Sequence, residues 1–304
     1  MIRLALIGCP DTADQYADAT SRLSNVTITA VDIDQLLAEH ADSFDAVAMQ
    51  VADETEMTRC LEAVAAGKHV LIVPPLAPSS EIVERISGAC RAADVRMMTG
   101  LSDRFIPGIQ AVKNSVDSGS LGEPGLLRIH RWEAGDAKPS GLLPQHLIPD
   151  IDLATWIFGC LPTLIYAVSR GAAGSAPAVT DYLQLHLGFP GGGMALIDVS
   201  TSMPDGDGYY LLSMIGSTGA AYADDHHNMQ LLYGGGRPSA LKTGQGCSHL
   251  TAQLQEFASA IADGREPAAN GADWQNAIQV ANAVATSLST GRAVHDKEGA
   301  YALV

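Results

Sequence analysis

Apolar residues follow two different rhythms along this chain. From Arg3 to Gly8 they form a nearly unbroken run, the pattern of a strand covered on both faces in a parallel sheet. Val26–Val31 (closing at Asp32), Phe44–Met49, His69–Val73 and Val95–Thr99 repeat that pattern. Helical spacing separates them, from about Thr12 to Leu23, from about Glu54 to Ala66, and from a Ser79 or Ser80 cap to about Ala93. Gly67 is placed to end the second of these helices. Strands and helices alternating at this spacing predict βαβ units and a doubly wound sheet. In such sheets the binding crevice lies beyond the carboxyl ends of the strands.

The second half changes rhythm. A helix over Pro107–Ser118 leads to strands over Gly125–Trp132, Ile165–Arg170, Thr180–Phe189, Met194–Ser200, Tyr209–Gly216, Gly219–Tyr222 and Met229–Tyr233. An amphipathic helix is expected over Asp150–Phe158. Alternation puts Leu183, Leu185, Leu187 and Phe189 on one face, and Tyr182, Gln184 and His186 on the other. Pro190-Gly191-Gly192-Gly193 reads as a hairpin connection. Helices over about Leu250–Asp263 and Trp274–Thr290 close the chain and are expected to pack back on the first domain. The predicted class is α/β, with domains at 1–122 and 123–304. A large, mostly antiparallel open sheet in the second domain leaves one face for a second copy, as a homodimer or higher oligomer.

Composition narrows the function classes. Of 304 residues, 47% are hydrophobic and 17% charged, against about 25% charged in an average domain. That is ample for two cores. The net charge of −16 argues against nucleic acid and anionic membranes as partners. Five scattered cysteines, without a CxxC or zinc spacing, fit a reducing cytoplasm. The N-terminus runs straight into a strand without a signal-peptide pattern, and no apolar stretch is long enough to predict a transmembrane helix.

After the first strand, a dinucleotide fold is expected to carry Gly-x-Gly-x-x-Gly. Here the stretch is Gly8-Cys9-Pro10-Asp11-Thr12-Ala13, with only the first glycine present. Pro10 removes an N–H where the backbone approaches a pyrophosphate. Asp11 either caps the helix or sets a carboxylate against an anion. Asp32 stands where an acid grips a ribose diol, and equally where a strand simply turns.

Four segments carry a resemblance: Ala63–Ala77, with Ala66-Gly67-Lys68-His69-Val70-Leu71 at its centre; Arg104–Pro107 continuing to Asp117–Pro124; Asp150–Gly159; and Gln255–Phe257 through Asp263-Gly264 and Pro267 to Gly291-Arg292. Together they resemble the glucose–fructose oxidoreductase / inositol dehydrogenase / MocA (Gfo/Idh/MocA) family over nearly the whole chain. The resemblance implies an N-terminal Rossmann domain. It also implies a C-terminal α/β domain whose open sheet often forms the dimer interface, and hydride transfer between NAD(P) and a sugar, cyclitol or related hydroxyl compound. It carries Gly8, Asp32 and Pro75 over as cofactor-side positions.

The departures fall on the chemistry. The family's catalytic lysine corresponds to Pro74 and the preceding glutamate to Val73. Its Asp-x-Gly-x-His corresponds to Gln145, Leu147 and Pro149. Its Thr-Pro-Asn becomes Val51-Ala52-Asp53, and the histidine three residues on becomes Glu56. Hydride transfer from an alcohol needs a base for the hydroxyl proton, and proline has no proton to exchange.

Replacement groups lie nearby in sequence. His146 and Asp150 are spaced to share a helix face as a base with its orienting carboxylate, unless Pro149 leaves His146 on the preceding loop and Asp150 with Asp152 merely favours the helix N-terminus. Arg104 follows the fifth strand. Arg128, His130 and Trp132 share one strand face, which is either a pocket wall or an ordinary exposed sheet face. Lys138 lies in a Gly/Pro-rich loop. Glu62 and Glu256 read as solvated helix residues. The histidines, His226-His227 included, form no metal-ligand set. These residues predict a divergent family member with a non-standard or non-catalytic binding or regulatory role, taking NAD(H) or no cofactor. The alternative is an NAD(P)-dependent dehydrogenase with relocated acid/base residues. A structural homodimer with a vestigial cleft is the third reading.

Overall fold

A computed structural model of the chain describes residues 1–7, 13–30, 43–76, 79–134, 147–170, 181–203, 208–224, 229–232, 239–242 and 248–303. The chain divides into two compact units, Met1–Ile106 with Gln245–Ile278, and Pro107–Gly244 with Gln279–Val304.

The first unit is built on five parallel strands: β1 (Ile2–Ile7), β2 (Val26–Ala30), β3 (Ala46–Val51), β4 (His69–Leu76) and β5 (Met97–Thr99). Their order is β2-β1-β3-β4-β5, so the strand order reverses between β1 and β3. Leu4–Ile7, Ala46–Met49, Val70–Val73 and Met97–Thr99 are buried without alternation, because helices cover both faces. Those helices are α1 (Ala13–Ser21), α2 (Glu54–Ala65) and α3 (Ser80–Ala92), with α2 packed on α3. Ser79 caps α3 by accepting from the Ile82 N–H. Gly67 follows α2 at φ 75°, a left-handed position that favours glycine.

β4 runs further than the sequence pattern implies. It continues through Pro74 and Pro75 to Leu76, but its pairing jumps from Gln50↔Val73 to Val51↔Leu76. Prolines have no N–H to give the ladder, so the pair is skipped as a bulge. The Pro74 ring sits against Gly100, where a Cβ would lie 2.6 Å from Pro74 Cδ and 2.7 Å from the Ile72 carbonyl oxygen.

The second unit starts at α4 (Pro107–Asp117). Its sheet has the order β11-β10-β6-β9-β8-β7-β14-β15. The strands are β6 (Pro124–Ala134), β7 (Leu164–Arg170), β8 (Tyr182–Gly188), β9 (Met194–Met203), β10 (Tyr209–Gly216), β11 (Ala220–Asp224), β14 (Val294–Lys297) and β15 (Ala300–Leu303). Only β6 and β9 pair in parallel; the sheet is otherwise antiparallel. β12 (Met229–Leu232) and β13 (Ser239–Lys242) form a separate two-stranded ribbon. Helix α5 (Ile148–Phe158) reaches the sheet through the Asp150–Arg131 pair, and α4 packs on β11 and β10. Burial alternates as an antiparallel sheet with one covered face requires: Leu127, Ile129, Leu183, Leu185, Leu187, Ile197, Leu212 and Met214 are core.

β13 and the terminal β14–β15 hairpin have no counterpart in the sequence pattern. Val-His-Asp-Lys carries little β-propensity, and its turn uses Glu298-Gly299, both at positive φ, in place of a recognisable Asn-Gly. Two helices, α6 (Ser248–Asp263) and α7 (Gly271–Thr290), come late in the chain. α6 packs on α1 within the first unit, with Tyr16 Oη donating to Gln253 Oε1 and Thr251 Oγ1 to the Ala19 carbonyl. The division between units falls inside α7.

At the amino end of the first sheet, Lys68 donates to the Phe44 carbonyl and His69 Nδ1 accepts the Arg96 N–H at 2.9 Å. Burial, and next the Arg96 cation, hold His69 below its usual 6.5. Its neutral form is therefore the folded form. The stability it contributes is full above the unfolded value and is lost as pH falls through the folded one. Urea midpoints of wild type are expected to fall on acidification below about pH 6.5. His69→Asn, which keeps an acceptor for Arg96, is expected to flatten that fall.

Candidate functional site

The carboxyl edge of the first sheet, beside the switch between β1 and β3, is the expected binding crevice. Its described residues are mostly occupied with shaping the edge. Asp53 caps α2, accepting from the Thr55 and Glu56 N–H groups at 2.8 and 2.9 Å. Glu56 folds back to accept the Ala52 N–H. This reciprocal arrangement resembles a capping box. It explains why acids stand at these positions and leaves both carboxylates hydrogen-bonded to backbone. Gln50 Nε2 bridges to the Pro74 carbonyl at 3.0 Å, closing the gap that the proline bulge leaves in the ladder. Pro74, Ala52 and Asp53 are exposed at this edge. Pro75 lies beside Pro74 in β4. Gly8 and Asp32, the remaining cofactor-side candidates, lie outside the described residues.

Arg104, read as a pocket residue, has a different place. Its side chain is 5% exposed, with Nη2 3.0 Å from Asp273 and Nη1 donating to the Ala268 carbonyl at 2.8 Å. It braces the segment between α6 and α7. It sits in a short turn, Ser102–Phe105, whose Arg104 and Phe105 are both buried. Glu256, expected to be solvated, braces the same segment. It accepts both Arg265 terminal nitrogens, at 2.6 and 2.7 Å, and the Ala268 N–H at 2.9 Å. The Arg265 contact first, and the Ala268 N–H besides, hold its carboxyl below the usual range despite partial burial.

In the second unit, α5 begins after Leu147, with Pro149 in its first turn. Asp150 is fully buried on that turn. Arg131 of β6 grips it with Nε at 3.0 and 3.1 Å and Nη2 at 2.8 Å, while the guanidinium lies 4.8 Å from the Tyr210 ring centre. Asp150 is thus paired with Arg131; His146, the partner expected for it from the sequence, is not among the described residues. Gln145, His146 and Lys138 lie outside the described residues.

Arg128, His130 and Trp132 share a face, as alternation requires, and it is the face opposite Arg131 and the core. Their neighbours there are Tyr209 on β10, Asp198 on β9, and Tyr182, Gln184 and His186 on β8. Asp198 Oδ1 accepts from Tyr182 Oη at 2.8 Å and Gln184 Nε2 at 2.9 Å. The Asp198 cluster was not singled out from sequence, although Tyr182 and Gln184 come from the preceding strand; the signal was the shared polar face of β8 and β9. Among the described residues, no group of three or more His, Cys, Asp or Glu is placed to hold a metal ion. No helix among them is long and apolar enough to cross a membrane.

Residues 109–222 match the GFO/IDH/MocA C-terminal domain. Inositol 2-dehydrogenase 2 of Saccharopolyspora erythraea is 30% identical over 320 residues, covering 95% of this chain and 94% of that protein. Myo-inositol 2-dehydrogenase of Thermotoga maritima is 25% identical over 276 residues, covering 84% of this chain and 80% of its own length. The crystal structure of scyllo-inositol dehydrogenase from Lactobacillus casei with bound NAD(H) and scyllo-inositol superposes with a TM-score of 0.81. That likeness, at 17% identity, covers 97% of this chain and 99% of the other.

Removing Arg131 would leave a buried carboxylate without its bidentate partner. Arg131→Met is expected to lower unfolding free energy by about 3 kcal/mol. Asp150→Asn is expected to cost less, because it removes the buried charge itself. Chemical denaturation of both variants checks the order.

Proposed function

The chain belongs to the Gfo/Idh/MocA oxidoreductase family, and from that premise we propose that it is an NAD(H)-dependent dehydrogenase. It oxidises a ring hydroxyl of a cyclitol, sugar or related compound, or runs the reverse reaction, with acid/base groups other than the family's usual ones. The observation that carries this reading is the match to an inositol 2-dehydrogenase along 95% of the chain.

The first sheet supports this reading. Its strand order provides a switch point, and its edge is left exposed at Ala52 and Pro74. The two carboxylates there are already held by backbone N–H groups, which offset their charge toward a pyrophosphate. Gly8, Asp32 and Pro75 are the residues that would hold the cofactor. Asp32 suits a ribose diol and repels a 2′-phosphate, which favours NAD(H) over NADP(H). When bound, the cofactor supplies the hydride acceptor. The chain itself must take the hydroxyl proton. Pro74 and Pro149 have none to exchange, and Gln145 is a poor base. His146 is the nearest candidate in sequence, one residue before the Leu147 cap of α5. Assembly is assigned to the outer face of the second unit's sheet, with a second copy as its cover.

A second reading keeps the cofactor fold without turnover, as a binding or regulatory protein. The absence of an exchangeable proton at Pro74 and Pro149 favours it. Calorimetric titration of cofactor-stripped protein separates the two. Under the dehydrogenase reading, NADH binds in the micromolar range and tighter than NADPH, Pro10→Gly tightens it, and inositols or other polyols turn over. His146→Ala then lowers kcat by about 10²–10⁴-fold while leaving NADH affinity unchanged. No heat at millimolar cofactor removes the dehydrogenase reading. Binding without turnover of any polyol selects the second.

A further inference from the structure

The seam between α1 and α6 in the first unit holds a polar side chain that does little for the fold. Gln253 of α6 has no exposed surface. Its buried neighbours along the helix, Leu250, Leu254 and Phe257, are apolar. Its Oε1 accepts from Tyr16 Oη of α1 at 3.3 Å, which is long for a hydroxyl donor. Its Nε2 is buried and makes no hydrogen bond. An amide placed this way has lost its water and recovered one weak contact, so it destabilises the seam. A methionine would fill much the same space without an unmatched N–H.

Position supplies a reason for the amide. Because α1 follows β1, its first turn stands at the carboxyl edge of the first sheet, beside the point where the strand order reverses. Tyr16 closes that turn, which starts at Ala13. Gln253 therefore meets α1 at the end nearest the expected crevice. A second hydrogen bond joins the same two helices further from that edge, from Thr251 Oγ1 to the Ala19 carbonyl at 3.2 Å. The two contacts hold the same pair of helices, but only the one at Gln253 includes an unmatched donor.

We propose that Gln253 is a positioning residue for the dinucleotide: its unmatched amide N–H finds an acceptor oxygen only when the ligand is bound, either the ligand's own or that of a water it orders. The inference rests on the dehydrogenase reading above. The empty protein bears an unmade hydrogen bond, and binding makes it. Stability and affinity must then move in opposite directions when the amide is removed. A residue that merely docked α6 on α1 would lose both together.

Urea denaturation of the ligand-free full chain and calorimetric titration with NADH test this. Gln253→Met is expected to unfold at a urea concentration equal to or above that of wild type, yet to bind NADH about tenfold more weakly. Thr251→Val removes the other hydrogen bond between the helices. It is expected to lower the urea midpoint and leave NADH affinity unchanged. A Gln253→Met chain that fails to fold, is less stable than wild type, or binds NADH as tightly as wild type overturns the assignment. So does a Thr251→Val chain that loses NADH affinity along with stability, because affinity would then follow helix docking alone. Each of those results leaves the dehydrogenase reading standing. Wild-type protein that takes up no NADH at millimolar concentration removes that reading and the inference with it.

Discussion

Asp150 has no exposed surface, and Arg131 grips it from the neighbouring sheet with three short contacts. Much of the second unit follows from that pair. It fixes the first turn of α5 against β6 on the face that the apolar alternation turns inward. Because side chains alternate along a strand, placing Arg131 inward places Arg128, His130 and Trp132 outward. The ion pair lies on the covered face, where leucines from β8 and isoleucines from β6 and β9 pack, opposite the open face with its aromatic and polar groups. Gly159, at φ 71°, ends the helix that the pair anchors.

The fold was largely legible in the sequence, because its two rhythms obey different rules. Unbroken apolar runs such as Leu4–Ile7 mark a sheet covered on both sides, and the alternation of Leu183, Leu185 and Leu187 marks one covered on a single side. Local chemistry was legible too where it acts over a few residues, as with Ser79 and Gly67. The site was less so. Arg104 meets Asp273 and Ala268 across more than 160 residues, Glu256 meets Arg265 around a helix end, and Asp198 gathers partners from two strands, β6 and β8. No spacing rule announces such meetings. They depend on which strands become neighbours.

The segment that best carries the family resemblance works at the amino edge of the first sheet. Lys68 holds the Phe44 carbonyl, His69 receives the Arg96 N–H, and Gly67 turns the chain. These are fold-making contacts, remote from the carboxyl edge where a ligand would sit. A chain can therefore keep this segment and still diverge at Val51–Asp53, Glu56 and Pro74. At that edge the residues present have structural tasks of their own. Asp53 and Glu56 close the start of α2, and Gln50 ties down the strand where the prolines interrupt it.

The seat of the Pro74 ring on Gly100 has an evolutionary corollary. A side chain at position 100 would collide with the backbone of β4 as well as with that ring, so the glycine is needed whichever residue occupies position 74. Descent can then exchange position 74 without first repairing its neighbour. A substitution at position 74, in either direction, therefore needs no compensating change at position 100. Variation at this edge of the sheet is in that sense shallow: it can alter what the strand end carries and leave the ground beneath it as it was.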